Sequence, residues 1–210
     1  RVRHLETAVK LVYASAYLER PRRYLEAIGQ DAAEARMAVI IQEVVGRRHG
    51  RYFYPAISGV AQSHNYYPVF QMKPEDGVAT IALGLGKQVV EGGDAVRFCP
   101  RYPQVLPQFR SPHEVLKVSQ REFFALDLDR NEADLLAGTD ATLARLELAQ
   151  AEADGILSLV GSVVDTEEDR VYDGTGRHGV RVVTFARIFK HKIFPLCAIL
   201  NELLESCRRD

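Results

Sequence analysis

A chain of 210 residues with 47% hydrophobic side chains has enough apolar material for a packed core, which excludes a disordered or fibrous protein. Its 27 Lys+Arg against 28 Asp+Glu leave a formal net charge of −1, so no global field recruits nucleic acid or an anionic membrane. Cys99, Cys197 and Cys207 include no Cys-x-x-Cys pair, which argues against a disulfide framework or zinc site and for a reducing, cytosolic compartment, and no apolar run reaches the ~18 residues of a membrane-spanning helix.

In chain order, Leu5, Val9, Val12 and Ala16 recur at helical spacing up to Tyr17, and Pro21 is expected to break that helix. A second short helix over 22–29 should close at Gly29. MAVIIQEVV, residues 37–45, is short and rich in β-branched residues, which predicts a buried strand. VGRRHGRYFYPAISGVAQS turns at Gly46 to Gly50 and resumes as its hairpin partner, with Gly59 at a bend or close backbone approach. GVATIALGLG, 77–86, reads as a third strand entering a glycine-rich turn, followed by short extended pieces around Gly92-Gly93. The proline-rich stretch 100–112 reads as an ordered loop or seam. Phe123 to Leu128 alternates as an edge strand would, and NEADLLAGTDATLARLELAQAEADG adds polar, helix-capable turns. ILSLVGSVVD and GVRVVTFARI resemble two strands flanking the polar loop TEEDRVYDGTGRH, and FPLCAILNELLESCRRD is a final amphipathic helix. The chain opens without Met and without a secretory leader pattern, and it closes on an uncovered helix, so it reads as a fragment of something longer.

Few of the polar residues form a recognised chemical constellation. Gly84 and Gly86 follow a strand, yet there is no Gly-Lys-Ser/Thr, no third glycine and no clear following helix, so a strand-ending turn is the simpler reading than a phosphate cradle. His64 in SHNYYP lacks an oriented base and an oxyanion hole. His178 and His191 lack a metal-ligand spacing, and the acids Asp165, Glu167, Glu168 and Asp169 lack the alternation of a calcium loop. Arg47, Arg48 and Arg51 around His49 suit a solvated hairpin tip better than a phosphate site. Gln42 is the odd residue, because an amide inside an apolar strand must find hydrogen-bond partners in the backbone or in a ligand.

The order of three segments, VIIQEVV, SGVAQS and GLGKQVVEG, resembles the nucleotide-binding part of the phosphoenolpyruvate synthase and pyruvate phosphate dikinase family over about residues 36–103, with 104–210 matching loosely. The resemblance implies an α+β, ATP-grasp-like lobe, mainly antiparallel sheet flanked by helices, with residues 1–210 a fragment of that nucleotide-binding domain. It implies a cytosolic dikinase that binds ATP with Mg2+, the magnesium ligands lying outside the fragment, and passes a phosphoryl group to a carrier histidine. Gln42 would line the nucleotide cleft, with Glu43 and Val44 at the adenine hinge, Ser58 and Gly59 on the adjoining strand, and Gly84, Gly86 and Lys87 towards the phosphates. No catalytic residue and no metal ligand is expected in the fragment itself, and its partners would be the phosphohistidine and pyruvate-binding domains of the parent chain. One departure matters: Lys87 stands where the family pattern has Glu. That exchange motivates an alternative, a family-related module without catalysis that senses nucleotide or binds another protein within a larger regulatory chain.

Overall fold

The structure, a computed structural model, describes residues 2–29, 38–130 and 140–207. The chain divides into two compact units, one taking residues up to 45 together with 129–142, the other taking 46–128 and 143 onward. In the first unit, α1 (Val2–Ser15) and α2 (Glu19–Ala27) are the two helices that the apolar spacing and Gly29 mark out, and Gly29 closes the second at φ 73°. The break between them falls at residues 16–18, where the amides of Tyr17 and Leu18 bond back to Ala14 and Ser15. Pro21 therefore does not end α1. It sits in the first turn of α2, where a missing N–H leaves no intrahelical bond unmade.

The segment 37–45 corrects the sequence reading. Met37 lies outside the described residues, and 38–45 form no strand; Ile40 is 83% and Val45 80% exposed. β-Branched residues become a strand only where a neighbour takes up their backbone groups, and among the described residues of this unit there is no strand to do so. Gln42 is exposed as well, so water satisfies the amide and the demand for buried partners disappears.

The second unit is built from three antiparallel sheets. β1 (Arg47–His49) turns through Gly50, at φ 57°, into β2 (Tyr52–Tyr54), so the hairpin partner is the 47–49 segment and not 37–45. β2 pairs with β6 (Glu122–Asp127), and β6 pairs with β7 (Leu143–Glu147). The alternation in β6 buries Phe123, Ala125 and Asp127, but the strand is an inner one and not the expected edge, because LARLE, read as helix-capable, supplies its second neighbour. β3 (Ser58–Gln62), β4 (Val78–Ala82) and β5 (Val96–Phe98) form the second sheet in that order. The third sheet, with β8 (Gly161–Asp165) in the middle, adds β9 (Arg170–Asp173) and β10 (Val180–Val183) on its two sides.

Helices flank these sheets. After Gly86 the chain makes one helical turn, α3 (Lys87–Val90), where extended pieces were expected. α4 (Pro112–Val118) is capped by the Ser111 hydroxyl, which accepts the Glu114 amide at 3.2 Å. α5 (Leu148–Ala153) and α6 (Leu157–Val160) follow β7, so the opening of ILSLVGSVVD is helix and only its second half is strand. α7 (Ala186–His191) and α8 (Leu196–Ser206) close the described chain. The arrangement is α+β, mainly antiparallel sheet flanked by helices. Tyr54, Phe98, Phe123, Phe185 and Phe189 fill one core, with ring centroids 4.7 Å apart for Tyr54–Phe123 and 4.5 Å for Phe98–Phe189.

A buried carboxylate ties the loop before β4 to the loop after β5. Asp76, 4% exposed, accepts the Lys73 amide at 2.8 Å and the Arg101 guanidinium at 2.7 Å. Burial alone pushes its carboxyl up, but the Lys73 amide and Arg101 together outweigh that and hold it below the usual carboxylate range. A group depressed on folding adds stability above its unfolded pKa and loses it as the pH falls through the folded one. Asp76→Asn is expected to lower the melting temperature by several degrees at pH 7, with the gap to the parent protein closing as the pH drops below about 4. Thermal unfolding of both proteins across that range is the check; a gap independent of pH would show that the charge on Asp76 contributes nothing.

Candidate functional site

Register places the expected site residues of the second unit at one end of the β3–β4–β5 sheet. Ser58 lies opposite Ala82, Gly59 opposite Ile81, and Thr80 sits between Val60 and Arg97. Successive residues of a strand point to opposite faces, so Ser58, Val60, Gln62, Thr80 and Arg97 share one face while Ala79 and Ile81 enter the core on the other. Gly59 lies on the core side, where a Cβ would come within 2.4 Å of the Thr80 carbonyl oxygen and 2.8 Å of Ile81 Cγ2. This is the close backbone approach that the glycine suggested, and packing alone demands it. The Ser58 hydroxyl is buried and has no hydrogen-bond partner among the described residues.

The glycine-rich turn begins one residue after β4. Leu83 donates its amide to the Gln120 side-chain oxygen at 2.8 Å, and Gln120 Nε2 donates to the Leu83 carbonyl at 2.8 Å and to that of Glu122 at 2.9 Å. Gln120, 2% exposed, thus takes the place of a strand neighbour for one residue. Gly84 donates to Pro55 at 3.2 Å and Leu85 to the Phe124 carbonyl at 2.8 Å. Gly84 has φ 85°, and a Cβ there would lie 2.7 Å from the Phe124 oxygen, so both conformation and space require glycine. Gly86 meets neither constraint: no atom within 4 Å would contact its Cβ, and it sits before the first turn of α3. Lys87 donates to Glu91 at 2.5 Å and places its ammonium 5.5 Å from the centre of the Phe124 ring.

Beside this turn, on the Ser58 face, a groove of about 330 Å3 is lined by Val60, Thr80, Val89, Tyr66, Tyr67 and Arg97 among others. Tyr66 and Tyr67 are exposed, and Arg97 lies 6.0 Å from the Tyr67 ring centre while reaching the Asn65 side-chain oxygen at 3.3 Å. Apolar side chains, two ring faces and a guanidinium suit a planar molecule that carries negative charge. The sequence reading passed over Arg97 and Gln120. SHNYYP did draw notice, but through His64, which only packs against Tyr66 with ring centres 4.6 Å apart.

Gln42, Glu43 and Val44 belong to the first unit, on the exposed 38–45 segment. Arg51 is held by Asp127 (2.5 and 3.2 Å) and Arg48 by the Gly50 carbonyl (2.8 Å), as a structural hairpin tip would have them. His191 bonds to Asp173 at 3.1 Å, and the Asp165 carboxylate accepts the amides of Glu167 and Glu168 in a local turn. Among the described residues no group of three or more His, Cys, Asp or Glu side chains is placed to hold a metal ion. Those residues do not fit a magnesium centre, and no chemical step is assigned to one.

One family model, pyruvate phosphate dikinase, AMP/ATP-binding domain, matches residues 2–122. No curated protein and no solved structure matches the chain. Residues 2–122 include the β3–β4–β5 sheet, the glycine-rich turn and Gln120, so the amide that supports the turn is inside the matched region. Replacing it with an apolar isostere, Gln120→Leu, is expected to cost about 2–4 kcal/mol, since the Leu83 amide and carbonyl would both be left buried without partners. Urea unfolding measures this; a loss below about 1 kcal/mol would mean that water takes over both groups.

Proposed function

The chain belongs to the family of the pyruvate phosphate dikinase AMP/ATP-binding domain, and from that membership we propose that it binds ATP for phosphoryl transfer to a carrier histidine elsewhere in the parent chain, as part of a phosphoenolpyruvate synthase-like dikinase. The family match carries this reading. It is supported by a glycine turn whose backbone is fixed by Gln120 and Phe124 rather than left to fluctuate, since a phosphate-handling loop contributes most when its amides need no reordering. The groove beside it, with Tyr67 and Arg97, offers what a planar, anionic ligand needs. In this proposal all 210 residues are part of the nucleotide-binding domain, and magnesium has its ligands outside this fragment.

The residue roles follow the resemblance. Gln42 and the backbone of Glu43 and Val44 would read the edge of adenine, Ser58 and Gly59 of β3 would contribute to the nucleotide site, and Gly84, Gly86 and Lys87 would face the phosphates. The exposed Gln42 amide is available for such a contact without any cost to folding. One observation favours a second reading, a nucleotide-sensing module without catalysis: Lys87, in the position of a family carboxylate, is engaged by Glu91 of its own helix.

Isothermal titration with ATP and magnesium tests the proposal. Weak binding by the parent chain is expected, with an affinity reduced about tenfold in Gln42→Ala at an unchanged melting temperature, as the loss of one amide's hydrogen bonds to a ligand would produce. Unchanged binding in a folded Gln42→Ala removes the hinge assignment. Lys87→Glu in the same titration tests the phosphate side. No pyruvate-dependent ATP turnover is expected from these residues alone, and robust turnover would overturn the view that the catalytic set lies elsewhere.

A further inference from the structure

A second cavity, of about 480 Å3, is lined by none of the residues assigned to nucleotide. It is bounded by the loop Asp173–Gly176, by Ser158 and by Arg187 and His191 of α7. The path of the chain fixes these groups. Gly174, at φ 86°, donates its amide to the Gly161 carbonyl at 3.0 Å and lies beside the Arg187 side chain, a Cβ there being in ordinary contact, 3.6 Å from Arg187 Cδ. α7 is entered through Phe185, a fully buried aromatic residue at φ 56°, and left through Lys192 at φ 53°. Left-handed backbone at a bulky residue costs about 1–2 kcal/mol and persists only where the surroundings impose it. Here the Phe185 amide is held by Val160 at 2.9 Å and its carbonyl by the Phe189 amide at 3.1 Å. The short helix that carries Arg187 and His191 is thus clamped at its start.

The charges in the cavity are unequal. Asp173 is the one acid among the lining residues, and it is engaged by Lys190 at 3.1 and 3.3 Å and by His191 at 3.1 Å. Arg187 is half-buried, and no carboxylate pairs with it among the described residues; its hydrogen bond goes to the Ser158 carbonyl, at 2.7 Å. A guanidinium has five N–H donors in a planar fork, so most of them remain for a ligand. The amides of Thr175 and Gly176, next to it in the loop, make no hydrogen bond to other described residues. Elsewhere in the second unit, the guanidiniums of Arg51, Arg101, Arg145 and Arg181 each meet a carboxylate, while Arg48, Arg97, Arg110 and Arg121, bonded to carbonyl or amide oxygens, are exposed where Arg187 is half-buried.

We propose that this cavity is a binding site for a phosphate group, either the free ion or a phosphomonoester, with Arg187 as its principal cation and the Thr175 hydroxyl and the Thr175 and Gly176 amides as further donors. A fork of guanidinium donors beside successive backbone amides matches a tetrahedral dianion better than a lone carboxylate, and the volume leaves room for the body of a small ester. The site is independent of the nucleotide reading and can stand if that reading fails.

The test is a titration of the whole chain, followed through the Thr175 and Gly176 amide signals in 1H–15N spectra, with inorganic phosphate in one arm and glycerol 3-phosphate in the other, at ionic strength balanced with sodium chloride. Saturable shifts of these two signals at millimolar phosphate are expected, weakened about tenfold in Arg187→Lys, which keeps the charge and loses the fork, and about threefold in Thr175→Val. Tighter saturation by glycerol 3-phosphate identifies the monoester as the preferred form, and equal or weaker saturation identifies the free ion. The absence of shifts at these amides in the parent protein overturns the proposal, whether or not the variants fold. Phosphate affinity unchanged in a folded Arg187→Lys overturns it as well.

Discussion

The candidate site depends on one side chain doing the work of a missing strand. Leu83 leaves β4 with both backbone groups buried, and no strand continues beside it to receive them. Gln120 supplies an acceptor and a donor in the same geometry, and reaches on to Glu122 with its second N–H. Because Gln120 is two residues before β6, the bond also fixes the β3–β4–β5 sheet against the sheet containing β6. The turn can then pass so close to Phe124 that only glycine fits at position 84. α3 and Lys87 follow directly from that turn, and α3 packs on β3, β4 and β6.

A second regularity concerns where charge is placed. Asp76 and Asp127 have buried side chains, and each is covered by an arginine that stays about half exposed, Arg101 and Arg51. An arginine can neutralise a carboxylate from outside while its own charge keeps contact with water, which avoids much of the desolvation that makes a fully buried pair expensive. Both pairs join segments distant in sequence: the turn before β2 to the end of β6, and the loop before β4 to the loop after β5. A chain with a net charge near zero can thus have strongly structured local electrostatics. Against that background, Arg187 is half-buried without a carboxylate, whereas Arg48, Arg97, Arg110 and Arg121, which also bond to carbonyl or amide oxygens, are exposed.

The parts of the fold legible in the sequence are those set by short-range patterns. Both N-terminal helices, the strand into the glycine turn and the final helix follow from apolar spacing and from Gly29 and Gly84, where the backbone needs a residue without a side chain. The misreadings share a cause. VIIQEVV looks like a strand, LARLE like part of a polar helix, and ILSLV like a strand, because a run of four to eight residues is compatible with either state until its neighbours are known. β6 shows the same limit: alternation reveals that one face is buried, but not how many strands flank it.

For the candidate site the division is similar. The sequence by itself determined the family, through three motifs in order, and marked Gly59 and Gly84 as places of close approach or turning; that no side chain fits there was decided by Thr80, Ile81 and Phe124, which only the fold brings near. It could not reveal Gln120, because nothing in SQREFF says that an amide will be buried 37 residues away from the backbone it satisfies. Nor could it show that Arg97 joins Tyr67 beside a groove, or that Arg187 lies beside the Gly-Thr-Gly loop. Those pairings rest on sheet register and on a buried left-handed Phe185, and both are decided only when distant segments compete for the same core.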